Sequence, residues 1–346
     1  TGIWGCITVS LILAFYAIVG GWILVYFADS AVNMVGLQSA SDWLLTSSVT
    51  RNVIFCFIFM ALTAFIVVGG VKSGIEKWSV RLMPTLVLLI LALIVYVSLQ
   101  PGASDGWSAY LVPDFTRILD PDLLIDAMGQ AFFSMSLGVG TMLVYGSYLS
   151  KKENLPTIGA SVALVDIGVA VIAGMLIIPA MYVALHNGVE IFTPEGALIQ
   201  GDSLIFKVLP ALFDTIGGVG VFVAFTFFAL MLEVTVAYMV VSRGLVRKKA
   251  VVLMAAIIFV LSCIIILNFN ALFGFVIALT TEYSQPLLGL ALCIFAGWVW
   301  RRDAILAELK EGDANAEQGL FWKIWPWYVR FVCPVIIALM FYRSVF

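Results

Sequence analysis

The chain has 346 residues and a formal net charge of −3. Hydrophobic residues make up 63% of it and charged residues only 11%, whereas a soluble domain is about half apolar and a quarter charged. So few charges cannot cover the water-facing surface of a soluble protein of this size. The composition therefore excludes an ordinary soluble domain, and the mean hydropathy of +1.11 favours an integral membrane protein.

Long apolar runs predict how the chain crosses the membrane. A run of about 18 or more apolar residues is long enough to cross the hydrocarbon core of a bilayer as a helix. These runs are too long and too continuous for the strands of a membrane barrel. We predict an all-α, polytopic membrane protein with about nine transmembrane helices, near residues 3–27, 52–71, 80–99, 124–149, 156–185, 213–242, 251–269, 272–299 and 323–345.

The charges between these spans predict the orientation of the chain. Every second connection is basic, and the connections between them are mainly acidic. The basic ones include Lys72, Lys77, Arg81, Lys151, Lys152, Arg243, Arg247, Lys248, Lys249, Arg301 and Arg302. Since cytoplasmic loops carry the excess of Lys and Arg, this alternation places residue 1 at the cytoplasmic face of the plasma membrane. Two outer loops, near 101–123 and 187–212, are long enough to be lids or simple connectors.

The fourth span contains residues that weaken a helix in mid-membrane. Ser134, Ser136, Gly138 and Gly140 follow one another at every second position. A helix that unwinds there exposes polar backbone groups, which is tolerable next to a cavity or another protein segment. Secondary transporters use such breaks to hold ions and polar substrate groups. A close helix–helix contact through small residues is the alternative interpretation.

Three carboxylates lie within predicted spans, at Asp166, Glu233 and Glu282. Ionisable groups at such positions are costly, and they are either functional or paired structural groups facing the bundle. Asp166 returns to the membrane depth of Ser134 after an inward turn at residues 150–156. A carboxylate opposite a hydroxyl and freed carbonyls is an oxygen-rich site that suits a hard cation such as Na⁺.

Several segments together resemble the neurotransmitter:sodium symporter family in its bacterial form. Residues 130–138 resemble the signature of its sixth helix, and residues 71–77 are similar to the loop between its fourth and fifth helices. Residues 233–238 resemble the end of its eighth helix, and residues 286–289 with Gly297 and Trp298 resemble its tenth. The order and spacing of these segments agree over the whole chain.

The resemblance implies a single transporter domain, 1–346, with the leucine-transporter-like fold of two inverted five-helix repeats. Residues 1–100 would be a partial first repeat, 124–299 the second repeat, and 323–345 an extra C-terminal helix. Residues 3–27 would then be the third helix of the family. We therefore expect this chain to be a fragment that lacks the first two transmembrane helices.

The resemblance also assigns roles to individual residues. Those expected to bind substrate are Tyr16, Phe133, Ser136, Val139, Ile12 and Met231. Those expected to bind sodium are Ser134, Asp166, Thr226 and Val223, with Ser134 and Asp166 at a first site and Thr226 at a second. Gln130 is expected beside a chloride or carboxylate position. Phe227 departs from the family pattern, because it falls where a second-site ligand is expected and cannot bind a cation.

The expected function is sodium-coupled symport of an amino acid or a related small zwitterion. The expected cofactor is Na⁺, with chloride left open, and no organic cofactor is expected. The expected partners are the small-molecule substrate and membrane lipid, with a homodimer left open and no nucleic acid. A degenerate, non-transporting binding or regulatory subunit on the same scaffold is the alternative. The spans contain no nucleophile–base pair in the sequence, so we do not expect an enzyme.

Overall fold

The computed structural model describes residues 2–46, 48–68, 76–138, 142, 146, 149–150, 152–192, 208–210, 213, 220, 223–224, 226–227 and 248–345. The helices of the first half are α1 (Gly2–Val35), α2 (Gln38–Leu45), α3 (Val49–Val68), α4 (Glu76–Ser98), α5 (Ala103–Leu111), α6 (Pro121–Ser134) and α7 (Leu155–His186). Those of the second half are α8 (Lys248–Leu267), α9 (Phe269–Ala278), α10 (Gln285–Ile294), α11 (Arg302–Gly312), α12 (Leu320–Trp327) and α13 (Cys333–Val345).

Within the described residues, four helical stretches are long and apolar enough to cross a membrane. They are Ile3–Val35, Leu155–His186, Phe269–Val299 and Leu320–Tyr342. The number rises to six if two bent pairs count as one span each. The pairs are Ser39–Leu45 with Val49–Phe65, bent by 90°, and Met83–Ser98 with Ala103–Leu111, bent by 119°. These stretches cover six of the nine predicted spans.

The three other predicted spans differ from a simple crossing helix. Span 124–149 is helical as far as Ser134 and then breaks, and most of span 213–242 lies outside the described residues. Span 251–269 is present as α8, although its apolar part, Val252–Leu267, is short for a span. The loop predicted at 101–123 is partly wrong, because it contains α5 and a 3₁₀ turn at Phe115–Arg117.

The last two spans are helical throughout, but short π-helical turns separate their α-helical segments. Such turns lie at Leu279–Ser284, Phe295–Val299 and Tyr328–Val332. At the first of them, the hydroxyl of Thr280 donates to the carbonyl of Val276 at 2.8 Å, and that of Thr281 donates to Ile277 at 2.8 Å. Hydroxyls that bond back to the preceding turn compete with the backbone and bend a helix, so they favour this irregular stretch.

The chain forms two compact units, which are described separately. Unit 1 comprises Thr1–Phe15, Phe115–Ile167 and Asn268–Phe346, and unit 2 comprises Tyr16–Asp114 and Gly168–Leu267. Both α1 and α7 contribute residues to each unit. The assignment of residues 1–100 and 124–299 to inverted repeats stays a prediction.

The core of unit 2 is built on close contacts between helices. Glycines bring α1 against α3, since a Cβ at Gly20 would lie 2.4 Å from the ring of Phe59. In the same way, a Cβ at Gly106 of α5 would lie 2.5 Å from the Cα of Pro179 in α7. The hydroxyl of Tyr110 also donates to the carbonyl of Val171 at 3.0 Å. Helix α5 is therefore docked on α7 and is not a structureless connector.

Candidate sodium and substrate site

The site in unit 1 is built around the end of α6. The helix begins at a favourable cap, where the carboxylate of Asp120 accepts the backbone N–H of Asp122 at 3.0 Å and Pro121 opens the first turn. It ends at Ser134, at the place where the sequence predicts a break. The predicted break is confirmed as far as the description runs, to Gly138.

The break has the geometry of a Schellman helix end. The N–H of Leu137 donates to the carbonyl of Phe132 at 2.9 Å, and that of Ser136 donates to Phe133 at 3.0 Å. Ser136 occupies the left-handed position of this motif, with a φ of 49°. Glycine usually fills that position, because a Cβ there costs about 1–2 kcal/mol. Ser136 is the one described residue other than glycine with a positive φ, and its side chain is buried.

Part of the backbone at the break is hydrogen-bonded within the chain. The sequence predicts that the break frees backbone carbonyls for an ion. The carbonyls of Ala131, Phe132 and Phe133 instead accept the N–H groups that follow the helix, from Met135, Leu137 and Ser136. A helix end inside lipid must satisfy its own polar groups, and the Schellman turn does so. The freeing of carbonyls further along the break, from Ser134 onward, stays a prediction.

Helix α10 fixes the backbone just beyond the break. Gly138 has a φ of +85°, and a Cβ there would lie 2.4 Å from the carbonyl oxygen of Gln285 and 2.8 Å from the nitrogen of Gly289. A Cβ at Gly289 would in turn lie 2.7 Å from the ring of Phe132. Two glycines thus allow the backbones of the break and of α10 to touch. The helix break and the close helix–helix contact, which the sequence offers as alternatives, are therefore both present.

The predicted sodium ligands of the first site lie together. The hydroxyl of Ser134, the last residue of α6, lies 2.8 Å from each carboxylate oxygen of Asp166 on α7. Ser134 is exposed and Asp166 is half-buried. One hydroxyl oxygen and two carboxylate oxygens at a helix break form a small, hard, anionic donor set of the kind that binds an alkali or alkaline-earth cation.

The other predicted residues of unit 1 have different environments. Ile12 is buried at 2% exposure, Phe133 is half-buried, and Gln130 is exposed. Glu282 lies in the π turn at Leu279–Ser284, and its side chain is exposed. The assignment of Ile12 and Phe133 to substrate, and of Gln130 to chloride or a carboxylate, stays a prediction.

Sequence reasoning missed Gln285, which lies directly against the break. Its side chain is 1% exposed, and its amide oxygen Oε1 has no hydrogen-bond partner among the described residues. A buried and unpaired polar atom costs about 1–3 kcal/mol, so a residue of this kind calls for a functional explanation. The feature of the sequence that could have indicated Gln285 is its position as a single amide side chain immediately before Pro286 in an apolar span.

The predicted residues of unit 2 include the expected second sodium site. Tyr16, Val223 and Thr226 are half-buried. Phe227 is buried and packs on Phe213 in the core of the unit, with ring centroids 5.6 Å apart. The position that departs from the family pattern is therefore filled by core packing. Val139, Met231 and Glu233 lie outside the described residues.

Comparison with known proteins supports the same family. The sequence model of the sodium:neurotransmitter symporter family matches residues 37–346. The uncharacterized sodium-dependent transporter YhdH of Bacillus subtilis is 34% identical over 99% of this chain and 78% of its own length. An uncharacterized sodium-dependent transporter of Haemophilus influenzae is 29% identical over 97% of this chain and 76% of its own length.

A solved structure agrees with the fold. The crystal structure of MhsT in complex with L-phenylalanine matches 100% of this chain and 80% of its own chain, with a TM-score of 0.83 and 30% sequence identity. The apolar spans, the broken α6 and these similarities converge on a multi-pass membrane transporter driven by sodium, which is not an enzyme. The chain belongs to the sodium:neurotransmitter symporter family.

Proposed function

We propose that the protein couples the inward movement of Na⁺ to the uptake of a neutral, apolar or aromatic amino acid across the plasma membrane, with residue 1 at the cytoplasmic face. The observation that carries the proposal is the contact between Ser134 and Asp166 at the end of α6. It brings a carboxylate and a hydroxyl together at a helix break, which is where secondary transporters bind their ions.

In this proposal Ser134 and Asp166 bind the first sodium ion. The carboxylate of Asp166 supplies the negative charge. When the ion binds, the hydroxyl of Ser134 directs its oxygen at the ion instead of donating its proton to the carboxylate. Beside the break in unit 1, Phe133, Ser136 and Ile12 are proposed to give the substrate largely apolar surroundings. The substrate-binding roles that the family resemblance implies for Tyr16, Val139 and Met231 stay predictions. An apolar pocket with few polar groups selects a small ligand by shape and fixes its orientation at the polar end.

The complex of the similar MhsT with L-phenylalanine supports a substrate of this class. Gln130 is proposed to contact chloride or a carboxylate near the first sodium ion. Thr226 and Val223 are proposed to contribute to a second one. Since ion and substrate bind at adjacent positions, each stabilises the state that the other prefers, and the sodium gradient drives uptake.

The experiment is uptake of radiolabelled L-phenylalanine, with a panel of other amino acids, by the full-length protein in proteoliposomes at varied Na⁺ concentration. Asp166→Ala removes both carboxylate oxygens. We expect it to raise the Na⁺ concentration for half-maximal uptake by at least about tenfold, which corresponds to about 1.4 kcal/mol of ion binding. Asp166→Asn keeps one oxygen ligand and should retain part of the uptake.

Asp126→Ala is the matched control, because Asp126 is an exposed carboxylate on α6 eight positions before Ser134. It should leave the sodium dependence unchanged. Uptake that does not depend on Na⁺, or an Asp166→Ala variant that behaves like Asp126→Ala, would refute the sodium mechanism.

One observation favours a second candidate function. The burial of Phe227 against Phe213 puts a core side chain at the expected second sodium position. A protein without that site could serve as a binding or regulatory subunit on the same scaffold. Sodium-dependent binding of L-phenylalanine to the purified full-length protein, without uptake in proteoliposomes, would support this alternative.

A further inference from the structure

A cavity lies in unit 1, and none of the residues that line it belongs to the broken helix α6. It has a volume of about 180 Å³ and lies where the span Phe269–Val299 ends and the chain returns into α12. Four tryptophans and two arginines, Arg302 and Arg330, contribute to its lining, which contains no carboxylate. A cavity lined by cations and aromatic rings without acidic residues is suited to an anion.

Both arginines are held in place by aromatic rings. The guanidinium of Arg302 lies 5.2 Å from the ring centre of Trp322, and that of Arg330 lies 4.9 Å from the ring centre of Trp298. The Nε of Arg330 also donates to the carbonyl of Gly297 at 2.8 Å. The cation–π contacts restrain both guanidinium groups, and the hydrogen bond also orients that of Arg330, which lowers the entropy lost on binding.

The terminal nitrogens of the two guanidinium groups are available to a ligand. In the described part of the chain, neither arginine forms an ion pair or a hydrogen bond through these nitrogens. Lys310 of α11, by contrast, is paired with Glu317. Two fixed and uncompensated guanidinium groups at one cavity form a fork for the oxygens of a phosphate.

The surroundings of the cavity indicate a lipid. Trp298 is 58% exposed and lies directly before the last residue of the span Phe269–Val299, and Trp327 is 61% exposed on α12. Tryptophans are enriched at the level of the lipid headgroups. The charge pattern of the connections predicts that this end of the span lies at the cytoplasmic face. Anionic phospholipids are concentrated at that face, and basic pockets between helices bind their headgroups there.

We propose that this cavity binds the phosphate headgroup of an anionic phospholipid. Arg302 and Arg330 bind the phosphate oxygens, and the acyl chains lie along the exposed apolar surface beside Trp298 and Trp327. The volume is below the roughly 300 Å³ typical of a pocket that encloses a whole drug-sized ligand, so it suits a headgroup alone. A soluble phosphate ester has the same anionic group but cannot use the apolar surface.

The test measures lipid retained by the full-length protein. The protein is purified in nanodiscs of phosphatidylcholine with a minority of phosphatidylglycerol, and the bound phosphatidylglycerol is counted by native mass spectrometry after release into detergent. Arg302→Gln is the decisive variant, since the side chain of Arg302 makes no hydrogen bond within the described residues. We expect Arg302→Gln and Arg330→Gln each to reduce retention about fivefold, the effect of one basic residue near an anionic surface.

Arg301→Gln is the matched control. It removes the same charge from the adjacent position, but Arg301 does not line the cavity. It should retain phosphatidylglycerol like the wild type. Equal losses in Arg301→Gln and Arg302→Gln would overturn the proposal, because they would show attraction to the surface as a whole. Displacement of the lipid by glycerol 3-phosphate at a similar concentration would also overturn it, in favour of a soluble phosphate ligand.

Discussion

Replacement of Gly138 by alanine tests the geometry that makes the broken helix. Gly138 has a φ of +85°, which costs an alanine about 1–2 kcal/mol. The new Cβ would also lie 2.4 Å from the carbonyl oxygen of Gln285 and 2.8 Å from the nitrogen of Gly289. Both are backbone atoms, so α10 itself must shift, at a further cost of about 1–3 kcal/mol. We expect a total destabilisation of about 2–5 kcal/mol.

Two other glycines separate the two parts of this cost. Gly188 has a φ of +86° and no atom within 4 Å of an added Cβ, so Gly188→Ala should cost only the conformational part, about 1–2 kcal/mol. Gly129 lies inside α6 with no atom near an added Cβ. Gly129→Ala should therefore stabilise by about 0.5–1 kcal/mol, because alanine loses less entropy in a helix.

The measurement is the melting temperature of the full-length variants in detergent. All variants are heated at one rate, and size-exclusion chromatography measures the fraction that remains folded. The expected order from most to least stable is Gly129→Ala, wild type, Gly188→Ala and Gly138→Ala. A Gly138→Ala variant that melts no lower than Gly188→Ala would refute the contact between the break and α10. Loss of sodium-dependent uptake should accompany the Gly138→Ala destabilisation, because the Ser134 hydroxyl lies at the same helix end.

Three further changes test other parts of the structure. Ser136→Gly should raise the melting temperature, by removing a left-handed cost of about 1–2 kcal/mol, yet reduce uptake through loss of the hydroxyl; reduced stability would contradict the Schellman geometry. Phe227→Ser should destabilise by about 3–5 kcal/mol without strengthening Na⁺ dependence, since Phe227 packs on Phe213; tighter Na⁺ dependence would instead indicate a latent ion site. Gly106→Leu should displace α5 from Pro179 and so expose residues 101–123 to protease. Gly168→Leu is the control, because an added Cβ there meets open space, and it should leave the cleavage unchanged. Equal cleavage of the two variants would contradict the docking of α5.

The membrane class and most of the spans could be predicted from the sequence. Burial in lipid depends on the composition of each segment, and a run of apolar residues carries that information locally. The break in the fourth span was predictable for a related reason, because serines and glycines weaken a helix wherever they occur. The pairing of Ser134 with Asp166 followed from membrane depth, since two helices joined by a short turn return to the same level.

The helices inside the predicted loops were not predictable in this way. Helix α5 depends on the fit of Gly106 against Pro179 and on the bond from Tyr110 to Val171, and these contacts join residues far apart in the chain. Short segments gain most of their helical stability from such packing. Local composition therefore indicated a loop, and the tertiary contacts decided otherwise.

The sequence by itself determined that this chain crosses a membrane, where its fourth span comes apart, and which carboxylate lies opposite the break. The tertiary structure decided how the break is stabilised, with two carbonyls satisfied by a Schellman turn, Gly138 seated against α10, and Gly289 of α10 seated against Phe132. It also decided that Phe227 belongs to a core and that the amide of Gln285 is buried. Transfer into lipid is a property of each segment alone, whereas backbone satisfaction and side-chain packing depend on which segments meet.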